Sequence, residues 1–188
     1  MKSHITNSSL NKGFTLVELM ISVAVVGMVT FIAIPSYGRF IAANRLSAQA
    51  NEMLSAITYS RSEAIRLNRN IMFCNTTDGA TCNTTSGAWQ QWLVLDPLSG
   101  VLRTSHILNS SLNVLSDTGM TNDTIVFTPM GLARNAANTR LPYNGIIRVC
   151  VVDSALDSNG RDVEISSGGR IMIERFLTNS GTCSKPEV

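Results

Sequence analysis

The sequence predicts an α+β protein, in which a long N-terminal helix carries a domain built of helix and antiparallel sheet. Three observations lead there. An almost unbroken apolar run extends from Phe14 to Ile34. From Arg39 to Asn68 apolar residues return every three or four positions instead. Beyond residue 70 the chain breaks into short, often β-branched runs separated by Gly, Asn, Asp and Pro. The first pattern suits an apolar helix, the second a helix with one buried face, and the third a sheet with many turns.

At ~1.5 Å per residue the run from Phe14 to Ile34 covers about 30 Å, the hydrocarbon thickness of a bilayer. Its only charge is Glu18. A lone carboxylate near a bilayer core costs at least ~2.5–3.5 kcal/mol, so it needs a partner. Glu18 lies at the N-terminal end, where the helix dipole already favours negative charge. The preceding segment 1–13 is polar and basic, with Lys2 and Lys12 and no acid, which argues for a cytoplasmic N-terminal end. A conventional signal peptide is cut behind its apolar region. Here the run continues into Pro35-Ser36-Tyr37-Gly38-Arg39 without such a site, so the helix is expected to be kept as an anchor.

Pro35 and Gly38 predict a kink or local melting. The helix then resumes, with Leu46, Ala50, Met53, Leu54, Ile57, Ala64 and Leu67 on one face. Arg45, Asn51, Glu52, Ser55 and Arg66 fall opposite, and Asn68-Arg69-Asn70 ends the element. Strands are expected at 71–75, 88–96, 101–107, 112–115, 124–128, 145–152, 162–165 and 170–175, and a long loop at 129–144. Asp96-Pro97-Leu98-Ser99-Gly100 and Ser158-Asn159-Gly160 read as turns.

Composition narrows the chemistry. The 188 residues suffice for one domain plus the helix. The formal charge is +2, but removal of 1–13 takes both of its lysines and leaves 13 basic against 13 acidic side chains. No general attraction to nucleic acid follows from that balance. Four cysteines, all beyond the apolar run, suggest disulfides in an exported domain. Of three pairings, Cys74–Cys82 and Cys150–Cys183 are favoured: one closes a short Asn/Thr/Gly loop, the other ties the tail to a strand. Loop entropy gives the second roughly 3–4 kcal/mol. No cysteine spacing suits zinc, and His106 is the only histidine after 1–13, so no metal is expected. Catalysis would have to use His106, and no serine sits in a Gly-x-Ser-x-Gly context. Asp153, Asp157 and Asp162 miss the calcium-loop order and read as an acidic turn. Trp89 and Trp92 read as packing rather than as a ligand platform. No cofactor is expected.

Gly13-Phe14-Thr15-Leu16-Val17-Glu18 resembles the processing site of type IV prepilins and type II secretion pseudopilins. Further along, Arg61-Ser62-Glu63-Ala64-Ile65-Arg66-Leu67-Asn68 with Ile71 and Cys74 is similar to the helix end and first strand of GspH/FimT-type minor pilins. Gly87-Ala88-Trp89-Gln90-Gln91-Trp92-Leu93-Val94 and Gly168-Gly169-Arg170-Ile171 fit the same group. The resemblance implies a leader at 1–13, cleavage after Gly13 and N-methylation of Phe14. It implies a filament-core helix at 14–38, an amphipathic half at 39–68, and a head at 69–188 folded as a β-sandwich of two antiparallel sheets. Glu18 would pair with a neighbouring subunit's N-terminal amine.

The implied partners are other minor and major pilins, the inner-membrane assembly machinery and the prepilin peptidase. The implied location is the inner membrane, single-pass with the head in the periplasm, then the extracellular pilus. The implied function is a minor type IV pilin that helps initiate assembly and so supports twitching motility and DNA uptake. Two alternatives share these features: a type II secretion minor pseudopilin, and a DNA-binding competence pilin. The latter carry a glycine-arginine-x-arginine signature, of which Gly169-Arg170-Ile171-Met172 has only the first arginine. Arg170, Arg175 and Lys185 are the candidate DNA contacts, with Asp162, Glu164 and Glu174 nearby to weaken them.

Overall fold

The structure, a computed structural model, describes residues 13–108, 111–151, 158–176 and 183–187, with the backbone alone for 32–36. Helix α1 runs Leu16–Leu67. After it come β1 (Ile71–Thr76), β2 (Gln91–Asp96), β3 (Gly100–His106) and β4 (Leu112–Ser116). A short 3₁₀ turn, Thr121–Asp123, precedes β5 (Thr124–Phe127), β6 (Ala133–Asn135), β7 (Gly145–Val151), β8 (Gly160–Ile165) and β9 (Ile171–Phe176). The chain divides into two compact units, residues 1–38 and 39–188.

In the second unit two sheets, ordered β3-β2-β1-β5-β6 and β4-β7-β8-β9, are antiparallel throughout. The helix packs on them. Its three-and-four spacing puts Leu46, Ala50, Met53, Ala56, Ile57 and Ala64 in the core. Phe73 of β1 stacks at 5.4 Å from Trp89 and 6.0 Å from Trp92, and Ile147, Val149 and Val163 close the core from the second sheet. Both tryptophans are therefore packing residues. The buried stripe also contains Gln49, which apolar periodicity passes over. Its Oε1 accepts the Leu108 N–H at 2.7 Å, so a backbone donor is satisfied from inside the helix face.

The helix ends where Asn68 adopts a left-handed φ of 52°. The Asn68 N–H then reaches the Ile65 carbonyl (3.3 Å) and the Arg69 N–H the Ala64 carbonyl (3.2 Å), which satisfies the last turn. No melting occurs at Pro35, where the backbone stays helical.

Several sequence expectations need correction. Residues 88–90 are not strand, and β2 begins only at Gln91. The expected loop 129–144 contains β6, a three-residue strand paired with β5. Its brevity and its Asn and Arg residues give no β signal, and pairing with β5 supplies the order instead. Gly160, expected in a turn, starts β8. Residues 152–157, with the expected end of β7 at Val152 and with Asp153 and Asp157, lie outside the described residues.

Gly169, the second glycine of the pair, acquires a packing reason. Gly169 has φ +80, and a methyl there would overlap the Gly131 carbonyl and crowd the Arg61 guanidinium. Gly131 itself has φ +73, and its carbonyl accepts the Arg61 Nε–H at 2.9 Å. The β5–β6 and β8–β9 turns are thus clasped together against the end of α1, and Ala133 N–H reaches Ser167 O at 3.1 Å. Gly169→Ala should destabilise the folded chain by about 2–4 kcal/mol, read as a lowered urea midpoint of the full-length protein in detergent. An unchanged midpoint would show that the two turns do not need this closeness.

Cys74 and Cys82 are disulfide-bonded, with 5.6 Å between Cα atoms. Asp78 organises the loop they enclose. Its carboxylate accepts the N–H groups of Ala80 and Thr81 (both 2.8 Å) and the hydroxyls of Thr81 (2.7 Å) and Thr76 (2.9 Å). The Thr81 backbone N–H, then that of Ala80, hold its pKa far below the usual carboxylate range. A depressed folded pKa means stability present above about pH 4 and lost as pH falls below it. Acidification should therefore loosen residues 76–83, seen as faster amide exchange in that loop than the intrinsic rate predicts. Asp78→Asn should show this looseness already at pH 7 and lose the acid dependence.

Candidate functional site

The first unit contributes an apolar helical segment. Its described side chains are all exposed from Gly13 to Phe31, with Phe14 at 80% and Phe31 at 83%. Thr15 starts the helix. Its carbonyl accepts the Leu19 N–H at 3.1 Å and its Oγ1 accepts the Glu18 N–H at 3.2 Å. Thr15 is thus an N-cap, and Thr15-x-x-Glu18 has the spacing of a capping box. Glu18 lies in the first turn, and its own carbonyl accepts the Ser22 hydroxyl at 2.7 Å. Among the described residues no cation pairs with its carboxylate.

In the second unit the outer face of the β7-β8-β9 sheet carries most of the remaining candidate residues. Arg148 and Asp162 face each other across β7 and β8 and form a nearly buried two-pronged ion pair, Nε–Oδ1 2.8 Å and Nη2–Oδ2 2.7 Å. Such a pair is costly to break on one side, because the partner is left as a buried charge. Arg148 Nη1 also donates to Ser184 O at 3.2 Å, and its guanidinium lies 3.3 Å above the Phe176 ring. Cys150 is bonded to Cys183, with Cα atoms 6.0 Å apart. Asp162 is therefore committed to an arginine rather than to an acidic turn.

The three candidate DNA contacts are not gathered. Arg170 is exposed beside Glu164 and Met172 at the start of β9. Arg175 lies on the opposite face of that strand, across from Arg161, and Lys185 is on the tail. His106 is exposed at the end of β3, and among the described residues no group of side chains could hold a metal ion.

A second buried polar system pins the β4–β5 connection. Asp123 accepts the Ser116 hydroxyl, the Gly87 N–H (2.7 Å) and the Asn75 amide (3.2 Å). Asp117 accepts the Tyr143 hydroxyl and the N–H groups of Gly119 (2.7 Å) and Ile146 (2.8 Å). Burial first, and the Asp117 carboxylate second, push the Tyr143 hydroxyl far above its ordinary pKa, so it stays a donor. These residues fasten the sheets to each other.

The family described as Type II transport protein GspH matches residues 49–169. The chain belongs to the GspH family. Its proteins are structural and non-enzymatic, with a pilin-like fold, which removes catalysis from consideration. A second match, the prokaryotic N-terminal methylation motif, covers residues 8–34 and so contains Gly13, Phe14, Thr15 and Glu18. The fold resembles two crystal forms of the type IV minor pilin FimU of Pseudomonas aeruginosa, at 22% identity. Their TM-scores are 0.52 and 0.55, covering 73% and 76% of this chain and 100% and 99% of FimU. The type IV major fimbrial protein FimA of Dichelobacter nodosus is 48% identical over 52 residues, 26% of this chain and 33% of FimA. This chain thus spans about a third of the length of the curated relatives it matches.

For a GspH-family protein the methylation motif implies inner-membrane anchoring followed by entry into a filament. Among the described residues no helix is long and apolar enough to cross a membrane.

Sequence reasoning passed over two residues of this GspH-family chain that its geometry makes important. The Thr-x-x-Glu spacing could have revealed Thr15 as a cap. Nothing in the local sequence singles out Arg148, whose partners come from β8, β9 and the tail. Thr15→Ala should cost about 1 kcal/mol of first-turn stability, measured as roughly fivefold faster amide exchange at Glu18 in micelles, while Thr15→Ser retains protection.

Proposed function

We propose that this chain is a minor type IV pilin that helps start pilus assembly in a tip-proximal priming complex, and so supports twitching motility and DNA uptake. The observation that carries the reading is the exposed apolar helix with one carboxylate, Glu18, in its capped first turn. In this reading residues 1–13 are a leader removed after Gly13 by the prepilin peptidase. Phe14 becomes the methylated N-terminus. Residues 14–38 anchor the chain in the inner membrane with the head in the periplasm, and later pack in the filament core. Residues 39–68 and the head, 69–188, meet other minor and major pilins.

The mechanism is electrostatic and packing-driven. Methylation keeps the amine's positive charge, so a neighbour's N-terminus can neutralise Glu18. In the low dielectric between packed apolar helices that attraction is far stronger than in water. The name of the fold neighbour FimU supports a pilus over a secretion filament. The scattered arrangement of Arg170, Arg175 and Lys185 favours this reading over a DNA receptor.

Glu18→Ala tests it in cells. The variant should be cut and should keep its disulfides, yet fall at least tenfold in the sheared filament fraction, with piliation and motility reduced together. Normal incorporation of Glu18→Ala, or mass spectrometry that finds residues 1–13 still attached in the filament, would defeat the reading.

A further inference from the structure

The outer face of the β7-β8-β9 sheet is organised in cross-strand rows, and two of the three rows are completed by the chain itself. In the row Cys150–Gly160–Phe176 the cysteine is bridged to Cys183. In the row Arg148–Asp162–Glu174 the guanidinium is held by the Asp162 carboxylate, the Phe176 ring and the Ser184 carbonyl. The third row, Ile146–Glu164–Met172, floors an open cleft of about 280 Å³. Its carboxylate stands between two apolar side chains, and no cation lies within ion-pair distance among the described residues.

We propose that this cleft receives an arginine or lysine side chain from an adjacent pilin head, with its aliphatic stem between Ile146 and Met172 and its charge on Glu164. The inference rests on the pilin reading, which supplies the adjacent head. Charge complementarity chooses the occupant. Asp162 is already neutralised, while among the described residues neither Glu164 nor the neighbouring exposed Glu174 is in an ion pair, with Arg170 at the rim or with any other cation. Desolvation first, and Glu174 and Asp162 next, push the Glu164 carboxyl up from its ordinary value. Long basic side chains suit such a site because the stem buries on apolar surface while the head meets the charge. The Arg148 row shows that this sheet face already holds a guanidinium between an acid and an apolar ring. Arg170, at the rim, is available for a carbonyl or carboxylate beside the incoming base. A phosphate backbone would meet Glu164 and Glu174 against the one rim cation among the described residues, Arg170.

The test places a photo-reactive benzoylphenylalanine at position 172 of the full-length chain in pilus-producing cells. The expected product is a cross-link to another pilin, mapped by mass spectrometry to a peptide with Lys or Arg within a few residues of the adduct. Glu164→Arg should lower its yield at least fivefold, and reversing the mapped base to Glu should restore it. Intact disulfides on a non-reducing gel check the fold. If Glu164→Arg fails that check, Glu164→Gln, which removes only the charge, should give the same fall. A yield indifferent to position 164 overturns the proposal, as do adducts confined to nucleic acid or to the chain's own tail. No adduct from a subunit present in sheared filaments overturns the cleft and leaves the pilin reading standing. A subunit absent from filaments with Glu18 intact defeats both.

Discussion

Exposed hydrocarbon at the N-terminal end is the constraint that organises this molecule. From Phe14 to Phe31 the described side chains are all exposed, and most are large and apolar. Each such side chain forgoes about 1.5–3 kcal/mol of burial, so the segment cannot persist in water by itself. Lipid or other helices must cover it. Either environment makes Glu18 the expensive residue, and the Thr15 cap keeps the helix wound up to that residue so that its carboxylate is presented at a defined place.

The head solves a different problem, that of a domain with modest aromatic content and many turns. It relies, among the described residues, on an aromatic cluster around Phe73, on carboxylates that satisfy loop N–H groups, and on close backbone approaches. Asp78, Asp117 and Asp123 each accept several donors, among them the loop N–H groups of Ala80, Thr81, Gly119 and Gly87. The Arg61–Gly131–Gly169 contact joins helix and both sheets at one point. A polar scaffold of this kind fixes loops that apolar burial could not hold.

Much of this was legible in the residues. The three-and-four spacing located the buried face of α1, and Asn68 marked its end, because both signals are local. Strands rich in Ile, Val and Phe were visible for the same reason. β6 was not, since Ala133-Arg134-Asn135 becomes a strand only beside β5. The sheet order, with β1 between β2 and β5, is a matter of long-range pairing that no short window encodes. Gly168-Gly169 could be seen as a pattern, but what requires Gly169 is a carbonyl thirty-odd positions away in Gly131. Among candidate site residues, the N-terminal group was readable because it is contiguous. The partners of Arg148 were not, because they come from separate strands and the tail.

The Cys150–Cys183 bond has a mechanical meaning. It closes a covalent ring across a sequence separation of 33 that contains β8 and β9. In the proposed filament, tension would pull on each subunit, and an unravelling head would normally lengthen by every residue released. Residues inside the ring cannot be paid out. At ~3.4 Å per residue the bond withholds about 110 Å of extensible chain, so a head that yields under load stays short and can snap back.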